Sequence, residues 1–185
     1  TDYTFDARER LTGISGTVTA SFAYGPLGER IQKTVGGVVT RYVVDTTSAL
    51  PRVIAELDGN NAITAYYIYG VGLLARVPAT GTDIRYYHTD LQSNTAALSK
   101  SDGSVSDTYV YHPFGKVLGK TGTSTNPYQF AGMLGVAQDD TGLIYMRARY
   151  YDPALGRFVS KDPAGIEGGD VHLHRMEIEA LSLHV

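Results

Sequence analysis

Residues 147–163, RARYYDPALGRFVSKDP, gather three arginines, two tyrosines and two Asp-Pro pairs. Such a density of guanidinium and carboxylate groups fits either a catalytic cluster or the most regular copy of a structural unit. The choice decides whether the chain is an enzyme. Other constellations carry less. His172, His174 and His184 stand near Glu177 and Glu179, and neutral imidazole is the commonest metal ligand. A His-x-His on a strand also places both rings on one face. Polar side chains on a solvated tail explain the same residues, so no metal is assigned. His88 and His112 read as turn or stacking residues. Gly70-Val71-Gly72 is followed by neither Lys-Ser/Thr nor a helical pattern, which argues against a phosphate loop. No Gly-x-Ser-x-Gly elbow exists, and no cofactor is implied.

The elements that would hold these residues repeat. An aromatic residue leads into a turn at Asp6, Gly25, Asp45, Gly70, Asp90, His112, Ala131 and Asp152, at intervals of 19 to 25 residues. Two strands rising ~3.3 Å per residue, with two short turns, use up about 20 residues, so the unit is a β-hairpin. TVTASFAY alternates Val18, Ala20, Phe22 and Tyr24 against Thr17, Thr19, Ser21 and Ala23, and Tyr109 and Tyr111 flank Val110 in the same way. Gly36-Gly37, Asp58-Gly59-Asn60-Asn61, Asp102-Gly103 and Asp140-Thr141-Gly142 supply residues that tolerate positive φ. No 3.6-residue apolar period precedes Gly169. The fold class is all-β: a curled ribbon of successive antiparallel hairpins.

Composition agrees. The 185 residues suit one domain. Fourteen Tyr against five Phe and no Trp, with 21 Gly, fit short strands and tight turns. Without cysteine there is neither a disulfide framework nor Cys-ligated zinc. The net charge of −3 argues against nucleic acid, and no apolar run reaches the ~18 residues of a membrane span. TDYTFDARER lacks a signal core and begins in mid-pattern, as a piece of a longer chain would.

The residues also carry a resemblance. YTFDARER and YGPLGER resemble degraded copies of the Tyr-x-Tyr-Asp-x-x-Gly-Arg unit of the YD-repeat (Rhs-repeat) family. Residues 86–118 and, most closely, 142–169 (GLIYMRARYYDPALGRFVSKDPAGIEGG) resemble the Rhs repeat-associated core. The likeness implies a domain over 1–169 and a divergent tail over 170–185, which suits a short helix or an edge strand equally. It further implies a shell wall, like those of the Tc toxin C component and the teneurins, with a C-terminal toxin cargo and a secreted or cell-surface setting.

In many such proteins the core cuts the chain as an aspartyl autoprotease, whose positions fall on Arg149 and Asp162. Two carboxyls sharing a proton can activate water, and a guanidinium can hold one of them ionised. The second Asp of that arrangement is missing, because 170–185 reads DVHLHRMEIEALSLHV. Arg149 and Asp162 are therefore expected to be turn residues and the chain not an enzyme. The alternatives are an autoproteolytic core that releases an effector and a carbohydrate- or receptor-binding adhesion module.

Geometry adds an expectation about partners. About sixteen strands at ~4.8 Å would make a flat sheet ~75 Å wide, against ~40 Å for a compact chain of this length. The ribbon must curl, split or stay elongated. Open strand edges and an uncovered apolar concave face would then favour a homo-oligomer or filament.

Overall fold

A computed structural model describes residues 1–48 and 50–161. Twelve strands run in strict chain order through one antiparallel sheet: β1 (Asp2–Phe5), β2 (Leu11–Ser15), β3 (Ala20–Tyr24), β4 (Arg30–Val35), β5 (Val38–Asp45), β6 (Arg52–Leu57), β7 (Ile63–Tyr69), β8 (Leu73–Pro78), β9 (Arg85–Thr89), β10 (Thr95–Ser99), β11 (Val105–Tyr111) and β12 (Val117–Thr121). A second, four-stranded meander follows: β13 (Ala137–Gln138), β14 (Ile144–Met146), β15 (Arg149–Asp152) and β16 (Arg157–Phe158). Among the described residues the helical content is one 3₁₀ turn at Gly132–Leu134. The chain is all-β, as its sequence predicts, and the long sheet is open.

Four of the eight predicted repeat positions, Asp6, Gly25, Asp90 and His112, share one form of turn, which also occurs at Asp58, while Asp45, Gly70 and Asp152 do not adopt it. At Asp6, Gly25, Asp58, Asp90 and His112 the backbone N–H donates to the carbonyl four residues on, and the N–H of the fourth turn residue donates back. That fourth residue has positive φ each time: Glu9 58°, Gly28 93°, Asn61 65°, Ser93 66° and Gly115 84°. This is a type I turn closed by a left-handed bulge residue, and it explains the register shifts where the strands leave it. Aspartate suits the first position because its carboxylate accepts from two backbone N–H groups, as Asp6 does from Arg8 and Arg10 at 2.9 and 3.0 Å. Ala131 departs from the expected pattern: it takes φ 49° ahead of the 3₁₀ turn rather than opening a hairpin. Strand β3 is shorter than the alternation suggested, starting at Ala20, although Ala20 and Phe22 do face inward while Ser21 and Ala23 are exposed.

Strands β3, β7 and β11 bury alternate residues, the pattern of one covered face. Tyr67, Tyr87, Leu98 and Tyr109 pack with Tyr128 and Ala137, while Leu11, Ile14 and Phe22 pack with Leu143, Tyr145 and Tyr150. Ala137 and Tyr145 are direct cross-strand partners in the small sheet, yet they belong to these two different clusters. One cluster is seated on β7–β11 and the other on β2–β3, so the long sheet curves around the short one. The expected bare concave face is therefore corrected. Residues 126–158 fill it, because short, tyrosine-rich strands fold back where continuing the ribbon would leave the inner rings in water.

Candidate functional site

Side chains capable of chemistry concentrate where the two sheets meet. Arg30 starts β4 just after the bulge at Gly28, and only 4% of it is exposed. Its guanidinium donates to the Asp139 carboxylate and to the Tyr150 hydroxyl, and lies 4.1 Å from the Tyr145 ring centroid. Lys33, brought to the same face by the register shift after Arg30, reaches Asp139 at 3.2 Å and Asp140 at 3.3 Å. Burial pushes the Asp139 carboxyl up, but the two cations outweigh it and hold the group below the usual carboxylate range. Burial likewise opposes the Arg30 charge, and Asp139 more than compensates, leaving the guanidinium well above its ordinary value. Burial also raises the Tyr42 hydroxyl, to about 12 despite nearby Arg30. A fully paired ion cluster of this kind fastens one sheet to the other. It holds no group poised to exchange a proton near neutrality.

The predicted site residues fall elsewhere. Arg149 opens β15, with its guanidinium 3.7 Å from the Phe158 ring centroid. Asp162 lies outside the described residues, as do His172, His174, His184, Glu177, Glu179 and the tail over 170–185. His112 is a turn residue: its Nδ1 accepts from the Phe114 N–H at 3.2 Å and its ring stacks on Phe114. His88 contacts the Ser99 hydroxyl at 2.8 Å on β9 and β10. Gly70 and Gly72 close the β7–β8 turn through a 2.9 Å bond. Asp139 has no role legible in the sequence, since the predicted turn begins at Asp140. The signal for its partner is that Arg30 closes YGPLGER, a copy of the repeat unit that ends in arginine.

An open ribbon of tyrosine-lined hairpins wrapped around its own closing segment defines a wall-building protein of the YD-shell class. The chain belongs to the teneurin YD-shell family, whose model matches residues 1–168. It is 35% identical over 175 residues to the tRNA(Glu)-specific nuclease WapA of Bacillus subtilis subsp. natto, covering 91% of this chain and 7% of that protein. It is 29% identical over 206 residues to the double-stranded DNA deaminase toxin A of Burkholderia cenocepacia, covering 90% of this chain and 14% of that one. The crystal structure of TcdB2-TccC3-Cdc42 shares the fold, with TM-score 0.70 at 18% identity over 97% of this chain and 10% of that one. The chain thus spans a small fraction of the curated relatives it matches.

Proposed function

We propose that this chain is a wall segment of a toxin-encapsulating shell of the Rhs type, secreted or displayed at a bacterial surface, and that it is not itself an enzyme. The observation that carries this reading is the arrangement of edges and interior. Residues 126–158 cover the inner face at β2–β3 and β7–β11, while β1 and β12 stand at the two ends of the long sheet, each with one side unpaired among the described residues. A meander of this kind extends by adding hairpins at its ends. The toxin relatives, of which this chain matches a small part, support a cargo outside the matched region.

Self-association follows from the same edges as a heterologous, head-to-tail contact. β12 exposes Leu118 at 61%, so Leu118→Lys should weaken it. Sedimentation at micromolar concentration tests this: oligomers that Leu118→Lys dissociates support edge pairing. A monomer in both cases removes the assembly and leaves the wall reading standing. The cargo is tested by expressing the chain with its downstream coding region and asking whether the added domain resists protease.

For Arg149 and Asp162 we propose structural roles, with Arg149 capping the Phe158 ring. Intact mass after prolonged incubation should return the full chain. A defined new C-terminus, abolished by Asp162→Asn, would assign autoproteolysis instead.

A further inference from the structure

A cavity of about 380 Å³ opens between the inner face of β4–β6 and the turn that joins β14 to β15, within the ~300–1,000 Å³ range of small-molecule sites. Its charges are not all paired. Arg147 occupies that turn at φ 57°, and its guanidinium donates to the carbonyls of Pro51 and Leu134. Among the described residues no carboxylate lies within ion-pair distance of it. Burial draws this guanidinium below its usual range, the signature of a cation lacking a counter-charge. Arg8 lines the rim of the cavity but is exposed, so water meets its charge. Arg10 is paired with Asp6 at 2.6 Å, yet its Nη1 is buried without a hydrogen-bond partner.

On the acidic side, Asp139 is neutralised by Arg30 and Lys33, and Glu56 faces Arg76 at 3.8 Å. Glu29 is left, with its Oε2 buried and unpartnered. With Arg8 in solvent, and Arg10 and Arg30 paired with Asp6 and Asp139, Arg147 is the part-buried guanidinium of this wall that has no carboxylate within reach among the described residues, a place for an anion. Much of the remaining wall is apolar, including Val44, Val53 and Ala137.

We propose that this cavity binds a monocarboxylate with an apolar body. Its carboxylate pairs with Arg147, which presents the planar fork that carboxylates fit. The body lies on the apolar wall, and Glu29 accepts from an N–H where the ligand carries one. A free organic acid and the carboxyl end of a peptide share this chemistry. The site stands whether or not the chain lines a toxin shell.

Ligand-observed NMR on the full chain tests it, with N-acetylphenylalanine, its neutral amide, and the peptide acid acetyl-Ala-Ala-Phe as probes. A charge-assisted bond to arginine contributes ~1.5–3 kcal/mol, so the acid should bind at least about tenfold tighter than the amide. Arg147→Gln should erase that preference. Ala148→Phe, at an exposed turn position lining the cavity, should block every probe, and it carries the test should Arg147→Gln fail to fold. Tighter binding of the peptide acid assigns a chain end, and tighter binding of N-acetylphenylalanine assigns a small organic acid. Equal affinity for acid and amide, binding of neither, or unchanged binding in Ala148→Phe overturns the proposal.

Discussion

The hydroxyl of Tyr111, at the end of β11, donates to the carbonyl of Thr95, at the start of β10, across 2.8 Å. Tyr69 does the same to Val53 at 3.0 Å and Tyr24 to Leu11 at 2.6 Å. Each bond runs from the aromatic residue that enters a repeat's turn back to a backbone oxygen 13 or 16 positions earlier. That explains why this position prefers tyrosine to phenylalanine. The ring adds apolar burial, and the hydroxyl satisfies a carbonyl of the preceding hairpin. Tyr69→Phe and Tyr111→Phe should each lower stability by about 1 kcal/mol, read as a shifted urea midpoint. Equal midpoints would reduce the hydroxyls to bystanders.

The ion cluster makes a larger prediction. Asp139→Asn leaves the buried Arg30 charge without its main partner, which costs about 3–5 kcal/mol. Replacing both, Arg30→Met with Asp139→Asn, should cost less than the two single changes added together. Additive losses in the double variant would mean that the residues do not act as a pair.

Acid should loosen the same joint. The Asp139 carboxyl is held below its unfolded value. It therefore binds fewer protons folded than unfolded as pH falls, and its stabilisation is complete above roughly pH 4 and lost below it. Asp139→Asn should flatten the decline in urea midpoint between roughly pH 5 and pH 2.

Alkali should act through the phenols. Burial is the leading cause raising Tyr42, Tyr69 and Tyr151 to about 12 each. A raised value means that the stabilisation is complete below the unfolded value of ~10 and fades as pH climbs through the folded one. Absorbance at 295 nm should show these phenols ionising only together with loss of the β-sheet circular dichroism signal. Smooth ionisation with the signal intact would contradict their burial.

Two glycines with the same backbone angle should separate strain from crowding. Gly115 and Gly142 both sit at φ 84°. A Cβ on Gly142 meets nothing within 4 Å, whereas one on Gly115 would stand 2.8 Å from the Phe130 ring. Both alanine variants incur the left-handed penalty of ~1–2 kcal/mol, and Gly115→Ala should lose at least about 1 kcal/mol more. Matching thermal midpoints would mean that Phe130 moves aside without cost.

The sequence showed most of the ribbon and little of the joint. Turn chemistry is local, so Asp58 through Asn61 and Gly36-Gly37 could be placed from residue types, and the alternation of Tyr109, Val110 and Tyr111 fixed which face is buried. The fold-back could not be read this way. β13 and β16 are two residues long, too short for a periodic signal, and Arg30 meets Asp139 across 109 positions of chain. Arg147 likewise looked like one arginine among three. Its distinction comes from a turn that drops it beside Pro51, 96 residues away, with no carboxylate in ion-pair distance among the described residues.

The unbroken order of β1 to β12 also bears on how the molecule is made. Every pairing in that sheet joins consecutive strands, so each hairpin can zip as soon as it leaves the ribosome, with only a short loop to close. The docking of residues 126–158 is different, for it must wait until nearly the whole ribbon exists. Synthesis thus separates a fast, local stage from a late, long-range one. In between, the inner tyrosines lie bare, and a nascent chain is then most exposed to sticking to its neighbours.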